Sequence, residues 1–121
     1  MTYSEFATLL GTICIPQTTT ALQVAYYEFD RDDPATLPFL VFYYPYANDV
    51  KADNINYQKV EHTILELYTE EIDFPQEKAV EDVLTGAEIA CSKTRNYIES
   101  QSMWQIVYEF DLVITEETTN A

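Results

Sequence analysis

Few residues in this chain could do chemistry, and their spacing limits what they could do. His62 is the single histidine and the natural candidate for acid–base work near neutral pH. It stands between Glu61 and Thr63 with no serine or cysteine close in sequence, so no local nucleophile–base pair forms and it reads as a strand residue. Asp30-x-Asp32-Asp33 begins like an oxygen-ligand calcium loop, but Ala35 stands where such a loop needs glycine and Val41 where it needs a bidentate glutamate. A solvated turn is the better reading. Glu70, Glu71 and Asp73 could pair as catalytic carboxylates, yet acids this close in sequence more simply mark an exposed turn or the approach to a helix. With His62, Cys14 and Cys91 are the only soft metal ligands, and no two of the three are close in sequence as in a zinc knuckle. These residues predict no metal, no cofactor and no catalytic centre.

Composition narrows the classes further. The chain has only two glycines, Gly11 and Gly86, too few for a phosphate-cradling loop or a dinucleotide fingerprint. Its 121 residues carry 21 acids against 6 bases, a formal charge of −15. The bases Arg31, Lys51, Lys59, Lys78, Lys93 and Arg95 are scattered, whereas binding a polyanion needs clustered cations. Adhesion to DNA or to an anionic membrane is therefore disfavoured. The longest apolar stretch, 37–44, contains Pro38 and falls far short of the roughly 20 residues of a membrane span. Glu5 and Thr8 interrupt any apolar leader at the N-terminus, which predicts a chain that stays in the cytoplasm with its two cysteines as reduced structural thiols. The length and 47% hydrophobic content suit one domain over 1–121, with 115–121 a loose polar tail.

The elements that must position these residues follow from pattern. Thr2-Tyr3-Ser4-Glu5 has the form of a capping box, and Tyr3, Phe6, Ala7 and Leu10 recur at helical spacing, predicting a helix over 3 to about 13. The polar, β-branched run 17–20 reads as a linker. Residues 22–29 and 39–44 read as strands joined by an acidic hairpin loop through Asp30-Arg31-Asp32-Asp33-Pro34. The second of these has no polar member, so it is expected to be buried on both faces and central. Residues 45–56, rich in Asn and Asp, read as an irregular loop, and 57–68 as a long third strand. Pro75 opens a second helix over 75–88, with Ala79, Val80, Val83, Leu84 and Ala87 along one stripe. Trp104, Ile106, Tyr108, Phe110, Leu112 and Ile114 share one parity while Gln105, Glu109 and Asp111 take the other, so the last strand has one buried and one wetter face. Residues 91–98 pair with it across a turn at 99–102. The predicted class is α+β: a mixed, mainly antiparallel sheet of about five strands with two helices packed on it, in the order α-β-β-β-α-β-β.

Two features have no role in that scheme. The 10 tyrosines exceed what a core that must satisfy each hydroxyl conveniently holds, which points to subunit contacts. Charge is also uneven: residues 1–60 hold 7 acids and 3 bases (−4), and residues 61–121 hold 14 acids and 3 bases (−11). Such a surface either serves solubility or repels a polyanion.

Several phrases occur in an order and spacing that cover 24–110. They are Val24-Ala25-Tyr26-Tyr27-x-Phe29, Leu37-Pro38-Phe39-x-Val41-x-Tyr43-Tyr44, Val50-x-Ala52-Asp53-Asn54-x-x-Tyr57 and Glu66-Leu67-Tyr68-Thr69. Asp73, Glu77, Val80-Glu81, Leu84, Tyr97-Ile98-Glu99-Ser100 and Val107-Tyr108-Glu109-Phe110 continue them. Together they resemble the tail terminator and minor tail proteins of siphophages that infect Gram-positive bacteria. The chain departs from that family before residue 24, where 17–23 replace a short connection. The resemblance implies a non-enzymatic virion protein, assembled in the host cytoplasm, that forms a homohexameric ring at the end of the tail. Its implied partners are itself, the tail tube protein and the head–tail connector, with DNA passing through without specific binding. On that reading Asp30, Arg31, Asp32, Asp33, Tyr46, Asn48, Lys51, Asp53 and Asn54, in the polar insertions, are candidate ring or tube contacts. Glu70, Glu71 and Asp73 are candidates for an acidic channel surface. A neck protein on the portal side, an acidic DNA mimic and a small hydrolase are the rival readings, the last lacking a nucleophile–base pair.

Overall fold

The computed structural model of the chain describes residues 1–29, 32, 35–52 and 55–115, with 50–52 and 55–58 described through their backbone alone. Of the expected tail at 115–121, residues 116–121 lie outside the described residues, as do Asp30, Arg31, Asp33, Asp53 and Asn54. Among the described residues two α-helices and six strands follow one another as α1 (Tyr3–Leu10), β1 (Gln23–Tyr26), β2 (Phe39–Ala47), β3 (Val50–Ala52), β4 (Ile55–Thr69), α2 (Phe74–Gly86), β5 (Ser92–Ile98) and β6 (Met103–Ile114). The sheet order is β1-β2-β4-β6-β5, with the short β3 paired to β4 off that path. This is the predicted mixed α+β fold.

The helix starts are built as their sequences require. At α1, Thr2 Oγ1 accepts from the Glu5 N–H at 3.0 Å and the Glu5 carboxylate accepts from the Thr2 N–H at 3.1 Å, a complete capping box. At α2, Asp73 caps by accepting from the Gln76 N–H at 3.1 Å, with Pro75 in the first turn. The first helix stops at Leu10, three residues before its expected end. Both the N–H and the hydroxyl of Thr12 bind the Leu9 carbonyl and close the last turn. The chain then doubles back, Cys14 bridging to Ala21.

Three strand readings need correction. β1 and β2 do not form a hairpin: they run parallel, with Gln23 opposite Phe39 and Tyr26 opposite Phe42. The segment between them is a crossover along the sheet, since a parallel pair cannot be closed by a tight turn. The sequence between 45 and 56 is not an irregular loop either. β2 runs on through Pro45 to Ala47, β3 follows, and β4 begins at Ile55. Pro45 is accommodated because the register slips between Tyr43 and Tyr46, a bulge of the kind in which a strand tolerates proline. Lastly, β2 is interior but not central, and β4 holds the middle between β2 and β6.

The faces of the sheet divide sharply. On one, Leu40 and Phe42 of β2, Leu65 and Leu67 of β4, and Ile106, Tyr108 and Phe110 of β6 pack with Phe6 and Leu10 of α1 and with Val80 and Leu84 of α2. Each large side chain buried there contributes roughly 1.5–3 kcal/mol. An ion cluster fixes α2 to the edge strand. Glu77, 1% exposed, lies 2.6 Å from Lys93 Nζ and 2.7 Å from Arg95, both on the helix-facing side of β5. Lys93 also reaches Glu81 at 3.2 Å, and Glu81 accepts from the Tyr108 hydroxyl at 3.3 Å. Charged side chains directed inward from an edge strand also discourage edge-to-edge pairing. Across the molecule, the Thr115 N–H donates to the Met1 carbonyl at 2.8 Å, tying the start of α1 to the end of β6. No helix among the described residues is long and apolar enough to cross a membrane.

Candidate functional site

Both described α-helices pack on that first face, and the alternation of each strand decides what the opposite face presents. β4 sends His62, Ile64, Glu66 and Tyr68 there, because the neighbouring Thr63, Leu65, Leu67 and Thr69 are buried under the helices. In β6 the same parity carries Gln105, Val107, Glu109 and Asp111, opposite Tyr68, Glu66, Ile64 and His62 in register. β2 contributes Phe39, Val41 and Tyr43, opposite Tyr68, Glu66 and Ile64. The bulge then inverts the parity of β2, so that Tyr46, and not Pro45, faces this side and meets His62. Only Ser92, Thr94, Asn96 and Ile98 come from β5.

Two polar arrangements sit on this face. At one end, His62 is held between carboxylates, Nδ1 3.0 Å from Asp111 and Nε2 3.2 Å from Glu109, with its ring stacked on Tyr46 at 4.6 Å. The hydrogen bond to Asp111 raises the histidine pKa above its usual value, burial opposes this, and the Glu109 contact adds to the rise. Both ring nitrogens are engaged by acids, so the arrangement holds a proton instead of activating a nucleophile. Strand pairing brings Cys91 and Ser92 beside this cluster, a proximity that sequence distance concealed. Burial, followed by the charge of Glu81, raises the Cys91 thiol pKa, the reverse of what an activated thiol requires. Among the described residues no group of three His, Cys, Asp or Glu side chains is arranged to hold a metal ion.

At the other end, Glu66 accepts from the Tyr68 hydroxyl at 2.9 Å, from Gln105 Nε2 at 3.0 Å and, more weakly, from the Tyr43 hydroxyl at 3.5 Å. Its donors are all neutral. Burial and then the charge of Glu66 push the Tyr68 phenol up to about 12, and the same two causes raise Tyr43. Beside this carboxylate lies a groove of about 620 Å³, walled by rings of the crossover and of β2 and β4.

No protein-family model and no curated protein matches the chain.

The charges are segregated. Every basic side chain whose placement is described lies off the face opposite the helices. Lys59 sits over the Tyr3 ring at 5.2 Å, Lys78 pairs with Asp82 on α2 at 2.7 Å, and Lys93 and Arg95 turn toward Glu77. Glu66, Glu109 and Asp111 share that face with no described cation except His62 when it is protonated.

The expected site residues fall in different places. Tyr46 is on the face opposite the helices, half of the stack with His62. Asn48 follows β2 and its N–H donates to the Val60 carbonyl at 2.8 Å, while Asp32 lies in the crossover and Lys51 in β3. Asp30, Arg31, Asp33, Asp53 and Asn54 are outside the described residues. Glu70 and Glu71 are exposed in the turn after β4, and Asp73 is committed to capping α2. The acids on the face opposite the helices were not among these candidates. The signal was present in the alternation of Glu66 between Leu65 and Leu67, and of Glu109 and Asp111 between Tyr108, Phe110 and Leu112.

Proposed function

We propose that this chain is a structural subunit of a long, non-contractile phage tail: a terminator that assembles into a ring, ends polymerisation of the tail tube and joins the tail to the head connector. One observation carries the reading, the sheet face opposite both described helices, on which Glu66, Glu109 and Asp111 stand without a described lysine or arginine. A ring that passes DNA needs a lining to which phosphates do not adhere, and an acidic face free of cations supplies one. This face joins the exposed turn at Glu70 and Glu71, with Asp73 beside it, as proposed channel surface. Closed rings are made by heterologous contacts between different patches of neighbouring copies. Tyr46 and Asn48, at the rim of the sheet, belong to the insertions assigned to those contacts.

Light scattering over a concentration series, with negative-stain images and with the tail tube protein added, tests the reading. Rings of six 14.0 kDa copies, 84 kDa, alone or on tube ends, are the expected result. A monomer that never caps tubes and instead competes with DNA for a DNA-binding enzyme would overturn it in favour of a DNA mimic. In assembled particles, Glu109→Lys with Asp111→Lys should slow DNA ejection, most at low salt, and unchanged ejection would remove the channel role.

A further inference from the structure

Besides Glu66, the groove is lined by side chains to which the proposed ring assigns no role. Phe39 stacks on Tyr68 at 5.0 Å, and Phe29 of the crossover meets Phe39 edge-on at 5.2 Å. Tyr27 crosses over Tyr43 at 5.6 Å, and Met103 completes the wall from β6. Tyr27 is held at φ 72°, in the left-handed region, where the Glu28 N–H donates to the Tyr26 carbonyl at 2.9 Å. A bulky residue in this conformation carries strain of about 1–3 kcal/mol, and such strain concentrates where a side chain must be aimed. Here it turns the chain out of β1 and places the tyrosine ring, 67% exposed, at the mouth of the groove. Rings with two carboxylates in the lining, Glu66 on β4 and Glu28 on the crossover, and no basic residue among the described lining, form an electronegative slot.

We propose that this groove receives an arginine side chain from a partner protein. A guanidinium stacks on ring faces and binds a carboxylate through two parallel hydrogen bonds, a combination that suits it better than an ammonium. Glu66 already accepts from three neutral donors, so it is oriented, yet each of its oxygens has two lone pairs and the carboxylate retains acceptor capacity toward the groove. Its negative charge is uncompensated by any described cation, and an entering guanidinium supplies that compensation. The described bases of a second copy, Lys59, Lys78, Lys93 and Arg95, are already engaged with its own rings or acids. The groove lies at the end of the sheet where β2 begins and β4 ends, the end opposite His62, so a partner seated there approaches along the strands and not across the acidic face.

The test is a ¹H–¹⁵N and ¹H–¹³C NMR titration of the whole protein with three peptides: acetyl-Gly-Arg-Gly-amide and its lysine and norleucine counterparts. The arginine peptide should produce saturable shifts at Tyr27, Phe39, Tyr68 and Met103. It should bind about tenfold more tightly than the norleucine peptide, as expected of one charge-assisted pair with ring stacking. Glu66→Gln should abolish that preference. Tyr27→Gly, which removes a ring and relieves the backbone, should weaken binding several-fold and keep the preference, so the proposal stays testable where Glu66→Gln fails to fold. Equal binding of the norleucine peptide, equal binding to Glu66→Gln, or shifts centred on His62, Glu109 and Asp111 would each overturn the proposal. The titration reads the groove in monomer or ring alike, so its failure leaves the ring reading standing and the absence of rings leaves the groove standing.

Discussion

Replacing Glu77 by glutamine should destabilise the protein by about 2 kcal/mol, while replacing both Lys93 and Arg95 by methionine should cost about 4 kcal/mol, the larger loss coming from the survivor with less water. Breaking a buried ion pair is expensive when the remaining charge stays buried, about 3–5 kcal/mol. Glu77 is 1% exposed, whereas Lys93 and Arg95 are 27% and 38% exposed, and Lys93 retains Glu81 at 3.2 Å. After Glu77→Gln the orphaned cations reach solvent. After the double substitution the orphaned carboxylate cannot. For a chain of this length 1 kcal/mol moves the melting temperature by about 3–6 °C, so Glu77→Gln should melt about 6–12 °C lower in circular dichroism at pH 7. Burial raises the Glu77 pKa, but the hydrogen bonds and charges of Arg95 and Lys93 outweigh it, and the net shift is below the ordinary 4.5. A carboxylate lowered by folding stabilises fully above its unfolded pKa and loses that contribution as pH falls through the folded one. The difference between wild type and Glu77→Gln should therefore be constant above about pH 4.5 and shrink below it. A Glu77→Gln protein within 0.5 kcal/mol of wild type, a double variant milder than the single one, or a gap unchanged at pH 2 would refute the argument.

The His62 ring should titrate by NMR above 6.5, and Asp111→Asn should bring it down further than Glu109→Gln, the Asp111 hydrogen bond being the larger cause. A group raised by folding stabilises below its unfolded pKa and loses that contribution as pH rises through the folded one, so this clasp weakens from 6.5 upward; a ring titrating at 6.5 or lower sinks the reasoning. Asp73→Ala removes the cap on α2 and should cost about 1 kcal/mol in urea unfolding, with a loss under 0.3 kcal/mol counting against the cap. Tyr27→Gly should be more stable than Tyr27→Ala by about 1 kcal/mol despite the smaller side chain, because only glycine adopts φ 72° without strain. The opposite order would show that the turn is not strained.

The parts of this fold legible in one dimension were those governed by local rules. The parity of Trp104 to Ile114 marks the faces of β6, Pro75 and the stripe through Val80 and Leu84 mark α2, and Thr2 with Glu5 marks the start of α1. What escaped depends on partners distant in sequence. Nothing between Tyr26 and Phe39 announces a parallel pair, because the charged turn residues look the same in a hairpin and in a crossover. The bulge at Pro45 was invisible because it requires β4 alongside to define a register. Glu77 reads as a solvated helix charge until β5 lays Lys93 and Arg95 over it. The site suffered most from this limit. Composition showed an acidic excess and pointed to the densest run of acids, whereas the face that carries acids without a described lysine or arginine is assembled from two strands more than 35 residues apart, Glu66 on β4 and Glu109 and Asp111 on β6.

The segregation of charge has a structural cause that bears on function. Three of the four described bases are drawn to the helix side because that is where they hold layers together: Lys93 and Arg95 secure α2 to β5, and Lys59 lies over Tyr3 of α1. A chain with 6 bases has few left over, so the face opposite the helices is acidic by subtraction. Surface charge acts over only about 8 Å at physiological ionic strength. A single copy would therefore affect a passing polyanion little, since nothing keeps the polyanion within that range. Several copies with this face turned inward around a passage would hold it there on every side. The repulsive role proposed for Glu66, Glu109 and Asp111 thus depends on assembly, and charge reversal at these positions should alter DNA passage through rings while leaving the behaviour of dilute monomers toward DNA almost unchanged.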